Sequence, residues 1–309
     1  MERKILVAVD DSPYTKKCLA YIADLFSGVP KFCCTLCHIR PIVPPFLYDE
    51  AAKDPWANAE LIRIGKKNAQ AAERKVAGAK VALMGMGFPE NRISVSTPSR
   101  REGVAKDILE FALAGMFDAI VVGRRGISGL QQALMGSVSA KLVEHCQASP
   151  VWVLDGNPKG RRFLLAVDGS ENAMRLVDHV GFILAGDPAA HVILFHVPQS
   201  TGDFVESGVA AKSSDIDRFV KDGDRSMIGA WFDRAEYVLG NAGLGSRQIE
   251  RVIARGQGRT AKRILETAAK KDCTTVVVGK RGINKAFFFG SVSHAVAHGI
   301  RNRAMWLVP

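Results

Sequence analysis

The chain has 309 residues, of which 47% are hydrophobic and 24% are charged, and its formal net charge is +11. This length allows two domains of about 150 residues with separate cores, and no apolar run reaches the roughly 18 residues that span a bilayer, which excludes a membrane protein. The basic residues form no dense run with interleaved aromatics, so a solvated basic surface is favoured over nucleic-acid binding.

The first predicted element is a strand over residues 4–9, and Asp10 follows it directly. Ser12 and Pro13 then have the pattern of a helix cap and a first-turn proline. The apolar run at this end is too short for a signal peptide and is followed by aspartates instead of a small-residue cleavage site. We therefore expect a cytoplasmic protein.

Three of the six cysteines are crowded at Cys33, Cys34 and Cys37. They fall within an apolar run that predicts a buried strand, and no second pair of ligands stands at zinc-finger spacing. Core thiols in a reducing compartment are favoured over a metal site.

Apolar runs of strand length alternate with helix-period segments along the first half, which is typical of strand-helix-strand units and a parallel sheet. Predicted strands lie near residues 4–9, 32–39, 91–96, 118–122 and 150–154, and predicted helices near 13–26, 56–86, 102–115 and 137–147. The proline-rich segment 41–55 and the polar segment 199–224 of the second half are predicted to be exposed connections, and the alternative for both is a mobile lid.

A glycine-punctuated loop, GRRGISGLQQALMGS, follows the fourth predicted strand and leads from Gly123 to Ser137. A strand that runs through such a loop into a helix capped by Ser137 places free backbone N–H groups around one cavity, which suits phosphate. Gly126 and Gly136 allow close backbone approach, and Arg124 adds positive charge at the mouth. The alternative is that these glycines only shape a strand-to-helix turn.

The second half of the chain repeats this organisation. The segment LLAVDGS ending at Ser170 matches the first strand, and the fourth strand is again followed by glycines, at Gly279, Gly282 and Gly290. The polar segment 155–160 is the predicted linker, which divides the chain into domains 1–157 and 158–309.

With these motifs the chain resembles the universal stress protein family, in its tandem two-domain form. The matching features are VAVD and a following serine in the first strand, a histidine at the end of the second strand, and the loop after the fourth strand. The family's loop is Gly, two residues, Gly, nine residues, Gly and then Ser or Thr, which the first half satisfies completely.

The resemblance implies an α/β fold with two similar Rossmann-like domains. Each would be a five-stranded parallel sheet of order 3-2-1-4-5 with helices on both faces, and its ligand would bind at the switch point between strands one and four. It further implies that Asp10 contacts the adenine or ribose side, that Ile39 offers backbone to the base, and that the phosphates are wrapped by Gly123, Gly126, Gly136, Ser137 and Val138. The alternative role of Asp10 is to cap the helix after Ser12.

The second half departs from the family's loop, because seven residues, 283–289, replace nine and include three consecutive phenylalanines. Two missing residues predict that Gly290 is displaced by several ångströms relative to Gly279, which puts triphosphate binding there in doubt. The corresponding site of the second half comprises Asp168, Val197, Gly279, Gly282, Gly290, Ser291 and Val292. The phenylalanines could fill the pocket or pack at an interface.

The leading functional hypothesis is a stress or signalling protein that binds ATP or AMP mainly in its first domain. Either Asp10 or Asp11 could hold Mg²⁺ with the phosphates, and His38 and His196 are favoured as structural residues over acid–base catalysts. No residue is assigned a catalytic role, because no water-positioning residue is evident, and slow ATP hydrolysis is the weakest hypothesis.

The alternative hypothesis is a nucleotide-independent interaction scaffold. By resemblance, the tandem form mimics within one chain the homodimer of single-domain relatives, with the fifth strands pairing, and a second copy of the chain remains a further candidate partner.

Overall fold

The computed structural model describes residues 2–124, 135–198, 214–254, 259–280 and 290–309. The chain divides into two compact units, Met1–Lys159 and Gly160–Pro309, with the boundary inside the predicted linker. None of the described helices is long and apolar enough to cross a membrane.

The first unit alternates strands and helices. Its elements are β1 (Arg3–Ala8), α1 (Pro13–Phe26), β2 (Phe32–Cys37), α2 (Pro45–Ala51), α3 (Pro55–Gly85), β3 (Ile93–Ser96), α4 (Val104–Ala114), β4 (Ala119–Gly123), α5 (Ser137–His145) and β5 (Val151–Leu154). All strand pairs in this unit are parallel, and the strand order is β3-β2-β1-β4-β5. The sheet is therefore doubly wound, with its switch point between β1 and β4.

The second unit has the same sequence of long elements. They are β6 (Arg162–Val167), α6 (Glu171–Leu184), β7 (His191–His196), α7 (Ser214–Asn241), β8 (Ile249–Ile253), α8 (Thr260–Lys270), β9 (Thr275–Gly279), α9 (Ser291–Gly299) and β10 (Ala304–Val308). Its strands are again parallel, in the order β8-β7-β6-β9-β10. The α/β architecture predicted for both halves is confirmed.

Helices cover both faces of the central strands. Every residue of β4, AIVVG, is buried. Successive side chains of a strand point to opposite faces of the sheet, so a strand is buried throughout only if both faces are covered. In the first unit Phe26 of α1 stacks on Phe32 of β2 with ring centroids 3.8 Å apart, and Trp152 of β5 lies 6.1 Å from Phe26. In the second unit Trp306 lies 5.2 Å from Phe163.

Two predicted connections contain helix. Segment 41–55 includes α2, because its prolines precede or begin helices: Pro44 is the N-cap residue of α2 and Pro45 its first residue, where a fixed φ favours a helix start. The connection predicted over 199–224 is shorter, since α7 begins at Ser214, and residues 199–213 lie outside the described part of the chain.

Candidate functional site

A cavity of about 330 Å³ opens at the switch point of the first unit. Its wall combines residues that lie more than a hundred positions apart in sequence, because β1 and β4 are neighbours in the sheet. The lining residues are Ala8, Val9, Asp10, Ser12, Thr15, Cys37, His38, Ile39, Val104, Ile108, Val122, Gly123, Gly136, Ser137, Val138 and Ser139. The structure thus brings six of the eight residues predicted for the first site to one cavity.

Asp10 follows β1, and its carboxylate is anchored on one side. Oδ1 accepts hydrogen bonds from the Ser12 N–H at 3.0 Å, the Ser12 hydroxyl at 2.6 Å and the Thr15 hydroxyl at 2.8 Å. Among the described residues Oδ2 has no hydrogen-bond partner. Asp10 therefore organises the turn into α1 and keeps one oxygen available toward the cavity, which combines features of both predicted roles.

The backbone of Ile39 lies beside the cavity just beyond the end of β2. Its neighbours pair toward β3, since His38 N–H donates to Ser96 C=O at 3.1 Å and Arg40 N–H donates to Pro98 C=O at 2.9 Å. In an extended strand the backbone N–H and C=O groups of successive residues point in turn to one neighbouring strand and then to the other. The N–H and C=O of Ile39 therefore point toward β1. No described residue bonds them, and they leave an adjacent donor and acceptor at the cavity wall.

The glycine loop meets the cavity through its two ends. Gly136 N–H donates to Arg124 C=O at 2.8 Å, and the Ser139 hydroxyl donates to Gly123 C=O at 2.6 Å. The N-cap residue of α5 is Gly136, not Ser137 as predicted, and no side chain caps this helix. The first N–H groups of α5 are therefore left to whatever occupies the cavity.

Arg124 does not stand at the mouth of the cavity, contrary to prediction. Its side chain is fully buried, 3.6 Å from the Asp155 carboxylate, because the backbone of Arg124 continues β4 and pairs with Leu154 at 2.8 Å. A side chain at that position enters the core, so its charge balances a buried carboxylate. Gly126, the other predicted residue that is absent from the lining, lies outside the described residues.

Cys37 and His38 bring two further polar groups to the cavity. Burial raises the pKa of the Cys37 thiol to about 12, so it stays protonated at neutral pH and is a poor nucleophile. The His38 ring is fixed by a 2.7 Å hydrogen bond between Nδ1 and Val9 C=O. These contacts favour binding over covalent chemistry.

A larger groove of about 760 Å³ adjoins the cavity between α4 and α5, and the two share Val104, Ser137 and Val138. Lys106 and Lys141 lie along this groove. Glu102 and Glu110 lie there too, and Lys106 Nζ pairs with them at 2.5 Å and 3.9 Å, so the open side of the cavity carries charges of both signs.

Val104 and Ile108 of α4 also line the cavity, and the sequence analysis did not predict them as site residues. The available signal was the repeated segment VAKDILE and TAKRILE, which marks the start of α4 and of α8.

The second unit places the equivalent residues similarly, but its loop ends are not displaced as predicted. Gly290 N–H donates to Lys280 C=O at 3.1 Å, as Gly136 does to Arg124, and Gly290 is again the N-cap residue. Residues 281–289 lie outside the described residues.

The remaining second-unit residues also lie at the carboxyl ends of their strands. Asp168 Oδ1 accepts from Ser170 N–H at 3.1 Å. Gly279 ends β9, Val197 follows β7, and Ser291 and Val292 begin α9. Gly282 and the phenylalanines at 287–289 lie outside the described residues.

Comparison with known proteins yields one consistent family. The model of the universal stress protein family matches residues 1–155 and again 160–302. A universal stress protein of Mycolicibacterium smegmatis (strain ATCC 700084 / mc(2)155) is 27% identical over 224 residues, which is 70% of this chain and 70% of that protein.

Solved structures agree in fold. The crystal structure of a universal stress protein from Archaeoglobus fulgidus DSM 4304 matches 99% of this chain and 97% of its own, with 20% identity and a TM-score of 0.63. A protein from Pseudomonas aeruginosa UCBPP-PA14 matches 99% of this chain and 93% of its own, with 17% identity and a TM-score of 0.57.

Proposed function

Because the chain belongs to the universal stress protein family, we propose that it binds an adenine nucleotide, ATP or AMP, in the cavity of its first unit and acts in cytoplasmic stress response or signalling. The observation that carries this proposal is the cavity at the switch point, where Asp10, Ile39 and the start of α5 meet. Its volume of about 330 Å³ lies within the range of small-molecule sites.

The phosphate end of the nucleotide would lie at α5. Among the described residues nothing accepts from the N–H groups of Ser137 and Val138 in the first turn of α5, and the positive end of the helix dipole favours an anion there. Gly136 has φ −61° and ψ 149°, which any residue can adopt, so its missing side chain matters as space and not as backbone freedom.

The base and ribose would lie toward β1 and β2. Adenine presents an acceptor nitrogen beside an amino donor, which complements the unpaired N–H and C=O of Ile39. The available oxygen of Asp10 suits a ribose hydroxyl, because a carboxylate accepts from hydroxyl donors.

Mg²⁺ would accompany a bound triphosphate. Asp10 is the candidate ligand, since the Asp11 carboxylate is held by Lys75 Nζ at 2.7 Å, and its available oxygen would then hold the metal in place of the ribose hydroxyl. No group of three metal-binding side chains occurs among the described residues. Phosphate oxygens and water would therefore supply the other ligands of the octahedral coordination that Mg²⁺ prefers.

The test is to purify the protein without added ligand, denature it, and identify any released nucleotide by chromatography and mass spectrometry. Near-stoichiometric ATP or AMP supports the proposal. A protein that is empty and also fails to bind either nucleotide in titration would favour the interaction scaffold instead.

A further inference from the structure

The two long helices α3 and α7 occupy equivalent positions in their units. Their buried residues recur at a constant separation in sequence: Ala72, Val76, Ala79 and Leu83 in α3 correspond to Ile228, Phe232, Ala235 and Leu239 in α7. The same separation matches Asp224 with Asn68 and Met227 with Ala71. Side chains at these positions can therefore be compared directly.

The histidines at the ends of β2 and β7 are also held alike. His38 Nδ1 lies 2.7 Å from Val9 C=O, and His196 Nδ1 lies 3.0 Å from Val167 C=O. A carbonyl oxygen only accepts, so each ring donates through Nδ1 and turns Nε2 away from its first strand.

What meets Nε2 differs between the units. His196 Nε2 lies 3.0 Å and 3.2 Å from the two carboxylate oxygens of Asp224, and both residues are buried. Among the described residues nothing bonds His38 Nε2, and His38 lines the cavity. The first unit has an amide, Asn68, where the second has this carboxylate.

Larger side chains of α7 also cover the turn after β6. A Cβ placed on Gly169 would lie 2.4 Å from Met227 Sδ and 3.7 Å from Ile228 Cδ1, and Trp231 Nε1 donates to Ser170 C=O at 3.2 Å. The first unit has Ala71 and Ala72 where the second has Met227 and Ile228. The first unit has Lys75 where the second has Trp231, and Lys75 Nζ pairs at 2.7 Å with the carboxylate of Asp11 in the equivalent turn.

We propose that the Asp224 carboxylate occupies in the second unit the place that an oxygen of the nucleotide takes beside His38 in the first, so that one nucleotide binds per chain. This inference rests on the proposed function of the first cavity. The Asp224 carboxylate already satisfies Nε2 of the histidine that the ligand would contact, and it fills the space of the ligand's oxygen. His38 is then a binding residue, and His196 a structural one.

The experiment measures ATP and AMP binding by isothermal titration with the full chain. Wild type is expected to bind one equivalent. Asn68→Asp puts a carboxylate at the position of α3 that corresponds to Asp224 and is expected to weaken binding by about tenfold or more. Gln70→Asp adds the same charge on the exposed side of α3 and is expected to bind within about twofold of wild type.

Circular dichroism of each variant shows whether it is folded. If Asn68→Asp does not fold, His38→Gln provides an independent test and is expected to lower the affinity several-fold. Two equivalents per wild-type chain, or full affinity in a folded Asn68→Asp or His38→Gln variant, would overturn this inference and leave nucleotide binding intact. Absence of binding to wild type would overturn the proposed function itself.

Discussion

The N–H of Gly136 donates to the C=O of Arg124 over 2.8 Å and closes the glycine loop at its base. The corresponding bond between Gly290 and Lys280 measures 3.1 Å, although that loop is two residues shorter. A Cβ on Gly290 would lie only 3.1 Å from the Lys280 oxygen. Glycine at this position lets two stretches of backbone come close, and in the first unit it also keeps the start of α5 open.

Gly136→Val is expected to reduce nucleotide affinity by about tenfold or more, because a branched side chain would stand between the phosphates and the N–H groups of α5. Titration calorimetry measures the change. Gly78→Val, on α3 with open space around its Cβ position, is the matched control and should bind like wild type. Unchanged affinity in a folded Gly136→Val protein would place the nucleotide elsewhere.

Gly169→Ala is expected to lower the free energy of unfolding by about 1–2 kcal/mol. Gly169 has φ +77°, which a side chain resists, and the new methyl group would meet Met227. Gly223→Ala, in an exposed turn of α7 with nothing within 4 Å, should instead stabilise by about 0.5–1 kcal/mol. Urea unfolding measures both changes. A shift of the two midpoints in the same direction from wild type would contradict the expected strain at Gly169.

Burial against Trp306 lowers the pKa of His179 from 6.5 to about 3. Between these two values the unfolded chain takes up a proton that the folded chain does not, so stability falls as pH drops below about 6.5 and is unaffected above it. The limiting slope is about 1.4 kcal/mol per pH unit, and partial exposure of the ring makes us expect less.

When the pH falls from 7.5 to 4.5, the free energy of unfolding of His179→Gln should therefore decrease by about 1 kcal/mol less than that of wild type. Denaturant melts at the two pH values measure this difference. His145→Gln, on the exposed surface of α5, is the control. Equal pH dependence in wild type and His179→Gln would show that folding does not change the pKa of His179.

Burial and a 3.0 Å contact with the Glu2 carboxylate raise the pKa of the Cys33 thiol to about 11. About one thiol in a thousand is then ionised at pH 8, so modification by a disulfide reagent should be slow. Glu2→Gln removes the negative charge and should speed the reaction several-fold, whereas Glu110→Gln should not. A wild-type rate equal to that of free cysteine would refute the predicted shift.

Local pattern in the sequence was sufficient for the architecture. Strand-length apolar runs, helix-period segments and the repeated turn residues predicted the alternation of elements, because each of these signals acts within a few residues. The loop motif located Gly123, Gly136, Ser137 and Val138 of one cavity, and the motifs of the first and second strands located Asp10 and Ile39. Arg124 shows where this reasoning stops: its charge suggested a ligand contact, but its place at the end of β4 turns the side chain into the core beside Asp155.

By itself the sequence determined the family, the duplication and the position of the glycine loop after the fourth strand, because these depend on residue type and spacing alone. Only the tertiary structure decided which groups meet across the chain. Asp224 contacts His196 because α7 lies over the end of β7, and no spacing rule connects a helix interior to a strand 28 residues earlier. Burial and charge pairing depend on such long-range contacts, and they distinguish the two otherwise similar units.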